Sequence, residues 1–377
     1  MNVLVLNVGS STLKAWFQDT PDGPIKTART EWKSSDHAEE HIEALIRSLD
    51  FLCDVEMVGH RIVHGGAKYR ESVFITPEVR AGIAELEDLA PAHNRLELAA
   101  IDAVERVVEK NMPGKHIPQV AVFDTAFHAS LAPAAYVYPG PYEWLNQGIR
   151  RYGFHGISVQ YSTRRAAEIL GRSGDSLRLI VCHLGNGASV TAVANGKSVD
   201  TSMGFTPLEG LMMGTRSGSV DPGILVYLGR NGKTAEDLDR TLNRESGLAG
   251  VSGLSGDMRE ILEAIEKGNN RAQLAYEIYA HRVTREVGAL LGVLGGADAI
   301  VFTGGIGENC APLRRDVCAQ FEFQGLKLDT AKNQRPQADQ NIAAPGSYLQ
   351  VLVIRADEDS EIARECLRLH SPAPVRA

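Results

Sequence analysis

The sequence predicts an α/β protein built from two related domains, and three observations predict it. Short apolar, β-branched runs alternate with helix-like periodicity along the chain. The stretch VLVLNVGSSTLKAWF at 3–17 returns as LIVCHLGNGASVTAV at 179–193. Each is an apolar run, a polar residue, a tight glycine-containing turn and a second strand-like run. The 377 residues are long for one hydrophobic core and comfortable for two.

Taken in order, strands are expected at 2–8, 12–18, 57–63, 118–124, 177–184, 188–194, 299–303 and 349–354. Helices are expected at 37–50, 77–88, 95–110, 159–170, 235–243, 257–267, 270–294 and 359–369. In 270–294, Leu274, Ile278, Val283, Val287, Leu290, Leu291 and Leu294 recur near helical spacing. His281, Arg282, Arg285 and Glu286 make it a helix with one buried face, not a membrane span. No low-complexity linker divides the chain. The boundary is expected near YEWLNQGIRR at 142–151, giving domains 1–150 and 151–360, with a C-terminal helix 361–377 returning to the first. The two hairpins then read as the same element of two related domains facing one cleft.

Composition bounds the function classes. Apolar residues make up 44% and charged residues 23%, and 37 glycines serve turns and close backbone approaches. No apolar run is long enough for a membrane helix, and MNVLVLN reads as a first strand, without the basic region of a signal peptide. Cys53, Cys182, Cys310, Cys318 and Cys366 are scattered and form no CxxC pair, which suggests neither a zinc site nor a disulfide framework. A reducing, cytoplasmic setting is expected. The formal charge of −8 argues against nucleic-acid or acidic-membrane partners. An anionic ligand would need local cations.

A GSS or GNG turn presents backbone N–H groups with no bulky side chain in the way, a seat for phosphate to which Ser10, Ser11 or Asn186 can add donors. Either turn alone is equally an ordinary hairpin; two in matching positions favour a phosphate clamp. A third stretch, AIVFTGGIGENC at 299–310, runs from an apolar strand into Gly304, Gly305, Ile306 and Gly307, with a polar helix start expected at Glu308 and Asn309.

Together LNVGSSTLK, GHRIVHGG, LAPAHN, VFDTAFH, RYGFHG, CHLGNGASV, TSMGFTPLEGLMMGTRSGSVDP and FTGGIGEN strongly resemble the acetate kinase family, in its order and over nearly the whole chain, from residue 2 to about 365. That resemblance implies two RNase H-like (actin-like ATPase) domains with the active site in the cleft between them. It implies reversible transfer of the ATP γ-phosphoryl group to acetate, giving acetyl phosphate and ADP, with Mg2+ required and Mn2+ able to substitute. It also implies a homodimer formed mainly by the C-terminal domains.

The same resemblance assigns residues, and their chemistry suits the assignments. A carboxylate is already ionised at neutral pH, so no general base is needed; cations must bring it to a polyanionic phosphate chain in line. If HRIVHGG is a strand, Arg61 and Val63 share one face, a guanidinium beside an apolar surface, while His60, Ile62 and His64 share the other. The family places Arg61 and Val63 in the acetate pocket; His60 and His64 read as packing or structural hydrogen bonding. Arg216 matches the second active-site arginine, which could hold acetate and phosphoryl oxygens together. His155 fits a donor to the transferring phosphoryl group, His183 and Asn186 meet nucleotide phosphates, and Phe154 and Pro207 belong to the acyl pocket. His93 matches another active-site position with a less defined role. Asp124, Glu358 and Asn7 match the metal-binding set, hard oxygen donors as Mg2+ requires; within Asp357-Glu358-Asp359 the serving acid is open by one residue. The catalytic residues implied are Asp124, Arg61, Arg216, His155 and His183. Nucleotide contacts are implied at Ser10, Ser11, Thr12, Lys14, Leu184, Gly185, Gly187, Asp257, Met258, Arg259, and from Gly304 and Gly305 through Ile306, Gly307 and Glu308 to Asn309.

Three departures from the family pattern stand out. Ala92 replaces a common Leu lining the acyl pocket, leaving room for a methylene and predicting notable propionate activity. Val8 replaces a small residue, and GISVQYS a common GTSHKYV. The region 19–56 is shorter than usual, so the first domain is expected to lack an edge element. Rival functions are a propionate (short-chain acyl) kinase and an actin- or Hsp70-like assembly ATPase, which would need no arginine-plus-apolar acyl pocket.

Overall fold

The computed structural model describes residues 1–9, 12–18, 25–32, 37–87, 94–337 and 339–370. These divide into two compact units, Met1–Ala129 with Asp357–Ala377, and Ser130–Ala356. The boundary expected at 142–151 thus falls inside the second unit, and the C-terminal helix Glu358–His370 lies in the first.

The first unit holds β1 (Val3–Val8), β2 (Thr12–Gln18), β3 (Ile25–Glu31), β4 (Met57–Ile62), β5 (Val73–Phe74) and β6 (Gln119–Phe123), ordered β3-β2-β1-β4-β6-β5. β1, β2 and β3 form an antiparallel meander; β4 and β6 run parallel to β1, and β5 pairs antiparallel at the edge. The second unit holds β7 (Arg178–Leu184), β8 (Ala188–Ala194), β9 (Lys197–Thr201), β10 (Ala299–Thr303), β11 (Gln340–Asn341) and β12 (Gln350–Val353), ordered β11-β12-β10-β7-β8-β9. It repeats the first sheet strand for strand: meander β7-β8-β9, parallel β10 and β12, and a two-residue antiparallel edge strand, β11. The paired hairpins read in the sequence are β1–β2 and β7–β8.

Alternation along β1 sorts its side chains. Leu4, Leu6 and Val8 join the core shared with Ile42 and Ile46 of the helix Ala38–Ser48 and Ala100, Val104 and Val107 of the helix Asn94–Asn111. The opposite face belongs to the C-terminal helix. There Gly59, paired with Val5, lets that helix approach so closely that a Cβ on Gly59 would lie 2.7 Å from both Cys366 Sγ and Ile362 Cγ2.

Two expectations are corrected. The shortened 19–56 region still supplies an edge strand, β3, because alternating small and polar residues suit a sheet margin. The helix after β10 begins at Gly304, not Glu308, because Gly304 takes φ +77° and its missing side chain lets the turn lie on the Leu184 backbone, 2.8 Å from a would-be Cβ.

Candidate active site

In the first unit the C-terminal ends of three parallel strands converge. Asn7 ends β1, Arg61 lies near the end of β4, and Asp124 follows β6 with its N–H bonded to the Ile62 carbonyl at 2.9 Å. The parallel register puts Leu6 opposite His60 and Arg61 opposite Val122, so Asn7, Arg61 and Asp124 share the face covered by the C-terminal helix. Arg61 Nη2 and Nε donate to Asp124 Oδ2 at 2.5 and 3.1 Å, and Nη1 donates to Asn7 Oδ1 at 3.3 Å. Glu358, at the start of the C-terminal helix, accepts from Asn7 Nδ2 at 3.3 Å and lies 3.8 Å from Arg61 Nε. Burial would lower the Arg61 pKa, but Asp124 and Glu358 outweigh it and hold the guanidinium firmly charged.

Of the three adjacent acids, Glu358 reaches this cluster's arginine. Asp357 instead accepts from the Ser360 backbone N–H and hydroxyl, capping the helix. Burial and its acidic neighbours push Asp359 up to about 6. Two carboxylates and an amide oxygen are the donor chemistry of a hard cation. Lys14 pairs with Asn7 across β1–β2 and is exposed; Thr12 opens β2, its carbonyl closing the turn on the Gly9 N–H at 2.7 Å. Ser10, Ser11, Ala92 and His93 lie outside the described residues.

β4 stops at Ile62, so the alternation expected to carry Val63 beside Arg61 does not extend that far. Val63 is buried, and its N–H donates to both oxygens of Glu97, at 3.2 and 3.1 Å. The two nearby histidines are structural. His60 Nε2 meets Gln119 Oε1 at 2.6 Å with its pKa lowered to about 4 by burial, and His64 Nδ1 accepts from the Gly66 N–H at 2.9 Å.

The second unit holds residues expected from the sequence to meet phosphate. His155 sits in the left-handed region at φ 58°, ψ 22°, at the N-terminus of the helix Gly156–Leu170. A non-glycine residue pays about 1–2 kcal/mol for that backbone, and the conformation aims the ring at the β7–β8 turn. There a Cβ placed on Gly187 would lie 3.2 Å from His155 Nε2 and 3.6 Å from Arg216 Nη1. The glycine keeps clear the spot on which both side chains bear. His183, at the end of β7, stacks on His155, and a Cβ on Gly185 would lie 3.8 Å from its Nε2. The Gly185 N–H closes the turn on the Gly187 carbonyl at 2.9 Å, and Gly214 donates to the Asn186 carbonyl at 3.1 Å. Arg216 Nη1 is held by the Pro207 carbonyl at 3.0 Å and Met213 Sδ at 3.7 Å, neutral partners, and burial lowers its pKa. Phe154 and Leu184 are buried beside these groups in sequence.

A cavity of about 630 Å³ adjoins the turn, lined by Gly185, Asn186, Asp257, Met258, Arg259, Gly305, Ile306 and Asn309 among the expected residues. Gly256, Leu262 and Cys310 complete the lining and were not singled out from the sequence. Asp257 caps the helix Met258–Glu266 and clasps Arg259. Gly307 and Glu308 are not among its lining residues: the Gly307 carbonyl accepts from the buried Arg314 at 2.7 Å, and Glu308 accepts from the Ala356 N–H at 2.9 Å.

Sequence reading also missed Ser189, Ser158 and Glu97. Ser189 Oγ and Ser158 Oγ hold His155 Nδ1 and His183 Nδ1 at 3.0 and 2.8 Å; a lone serine gives no signal of that kind. Glu97 did leave one. It stands at i, i+4 and i+7 with Ile101 and Val104, an acid on the apolar stripe of a helix.

The sequence signature of the Acetokinase family matches residues 25–364. An acetate kinase of Nostoc punctiforme is 49% identical, the match covering 98% of this chain and 99% of that protein. Among solved structures, Porphyromonas gingivalis acetate kinase aligns with TM-score 0.88 at 40% identity, over 98% of this chain and 100% of the other. A propionate kinase of Francisella tularensis aligns with TM-score 0.84 at 36% identity, over 97% and 98%. The twice-repeated sheet is therefore the actin-like ATPase fold. Near-complete coverage in sequence and in structure fixes the lineage as well: the chain belongs to the acetokinase family.

Proposed function

We propose that the chain catalyses the reversible, Mg2+-dependent transfer of the γ-phosphoryl group of ATP to acetate, giving acetyl phosphate and ADP. The observation that carries this reading is the convergence of His155 Nε2 and Arg216 Nη1 on the space kept open by Gly187. Two donors bearing on a glycine turn, beside a cavity of nucleotide size, suit a phosphoryl group. Family membership supplies the substrate class.

The chemistry follows from the residues. Acetate arrives ionised, since its pKa lies near ~4, and one of its oxygens attacks phosphorus in line. The new O–P bond forms as the bond to the ADP oxygen breaks, and ADP leaves with that electron pair. Arg216, held by neutral partners, has its charge free for the equatorial oxygens. His155 and His183 donate hydrogen bonds to the phosphate chain, and the turn offers the Asn186 and Gly187 backbone N–H groups. Arg61 draws in the carboxylate and Val63 faces its methyl group. Asp124, Glu358 and Asn7 would hold Mg2+, or Mn2+ in its place, which would supply positive charge to the phosphate oxygens when bound. Thr12 and Lys14 are assigned to the nucleotide side, as are Ser10 and Ser11. The assembly-ATPase alternative draws no support from the family.

A homodimer fits this reading. The helix Pro222–Arg230 buries none of its residues yet carries Ile224, Val226 and Tyr227, which are 47%, 54% and 67% exposed. Sedimentation velocity should give twice the monomer mass. A cytoplasmic location is supported by five free cysteines; no helix among the described residues is long and apolar enough to cross a membrane. The test of the reaction is a coupled assay with acetate, propionate and butyrate, with and without Mg2+. Turnover of acetate only with the metal is expected; failure with every short carboxylate would overturn the reading.

A further inference from the structure

The chain leaving β4 has lost its sheet partners, because the β4–β6 pairing ends at Ile62 and Phe123. Three of its next four backbone donors are nevertheless engaged by side chains. Val63 N–H donates to Glu97, Gly65 N–H to Thr125 Oγ1 at 3.0 Å, and Gly66 N–H to His64 Nδ1. The helix Asn94–Asn111 grips this exit twice in one turn: Asn94 Nδ2 donates to the His64 carbonyl at 3.4 Å, and Glu97 accepts from Val63 with both oxygens. Glu97 is 1% exposed, an acid placed where the helix, apart from Asn94, otherwise buries apolar residues.

We infer that Glu97 is a positioning residue for the acid substrate: by holding the Val63 N–H it fixes the strand exit that presents Arg61 and Val63. This rests on the acetate-kinase reading given above. The charged groups that bear on Glu97 are Arg61 and Asp124. Burial raises its carboxyl to about 8, against the pull of Arg61 and the Val63 N–H, so near neutrality it is held largely as the acid. Protonated, it keeps an acceptor for Val63 and sets no third negative charge beside Arg61. An amide of the same shape should serve equally well.

The test is steady-state kinetics of wild type, Glu97→Ala, Glu97→Gln and Glu97→Asp, each checked for folding by thermal melting. Leaving the Val63 donor unpaired should raise the KM for acetate about tenfold in Glu97→Ala while the KM for ATP stays within about twofold. Glu97→Gln should restore the acetate KM. Glu97→Asp, one methylene short, should shift the same constant and serves if the alanine variant folds poorly. A purely structural role would lower the melting temperature and move both KM values together, and that result overturns the inference. So does Glu97→Gln as impaired as Glu97→Ala, or an unchanged acetate KM in Glu97→Ala. A wild-type protein inactive on every short carboxylate removes the functional reading and this inference with it, an outcome distinct from the others.

Discussion

His155 and His183 stack with ring centroids 4.2 Å apart and planes at 30°, and each is turned by a serine hydroxyl at its Nδ1. The pair joins two elements, a helix N-terminus and the end of β7, into one surface beside the Gly185–Gly187 turn. Each hydroxyl fixes how its ring is turned beside that turn. Removing the hydroxyl behind His183 by Ser158→Ala should lower kcat about fivefold, the worth of one neutral hydrogen bond. Single-turnover kinetics would show whether the loss lies in the chemical step.

Arg216 is the stronger test. Among the described residues its hydrogen-bond partners are neutral, the Pro207 carbonyl and Met213 Sδ. Arg216→Ala should lower kcat by roughly 10³-fold, as for arginine fingers, with little change in melting temperature. Turnover near the wild-type rate would remove it from the mechanism.

Gly59 should be intolerant of any side chain. A methyl group there meets Cys366 and Ile362 on the C-terminal helix at 2.7 Å. Gly59→Ala should cost about 1–3 kcal/mol by overpacking, read as a lower urea midpoint. The same displacement moves Glu358, so the Mg2+ concentration for half-maximal rate should rise.

The Glu97 carboxyl predicts a pH dependence of stability. Its pKa is raised from 4.5 to about 8 on folding, so between those values the folded chain holds a proton that the unfolded chain releases. That contribution is complete below about 4.5 and is lost as pH rises toward about 8. Glu97→Gln has nothing to lose, so its stability relative to wild type should improve from pH 5 to pH 8 in urea titrations. A gap independent of pH would show that the carboxyl is not protonated in the fold.

Ala92 tests acyl specificity. Burying one more methylene is worth about 0.8 kcal/mol, roughly a fourfold preference. Ala92→Leu should therefore lower the propionate-to-acetate ratio of kcat/KM by about that factor in competing-substrate assays. No change in the ratio would mean that residue 92 does not bound the pocket.

Much of this was legible in the sequence because it depends on local pattern. Short apolar, β-branched runs announced β1, β4, β6, β7 and β10, and two similar turns announced the repeat. The third meander strands, β3 and β9, were missed because they are largely polar, with no apolar face to reveal them. Long apolar strands fixed where Asn7, Arg61 and Asp124 would end up, but not which neighbouring acid would join them. Glu358 reaches both Asn7 and Arg61 while Asp359 also bonds Asn7, a tertiary fact. Ser158, Ser189 and Glu97 act through a partner far away in sequence, and no spacing rule encodes such a pair.

The helix that seals one face of the first sheet follows the second unit in the chain. Until Ile362 and Cys366 emerge from the ribosome, the groove over Gly59 stands open and one wall of the domain is missing. The whole second unit must be translated in between. Glu358 arrives with that same segment, so closing the early half and completing its acidic cluster become a single late event.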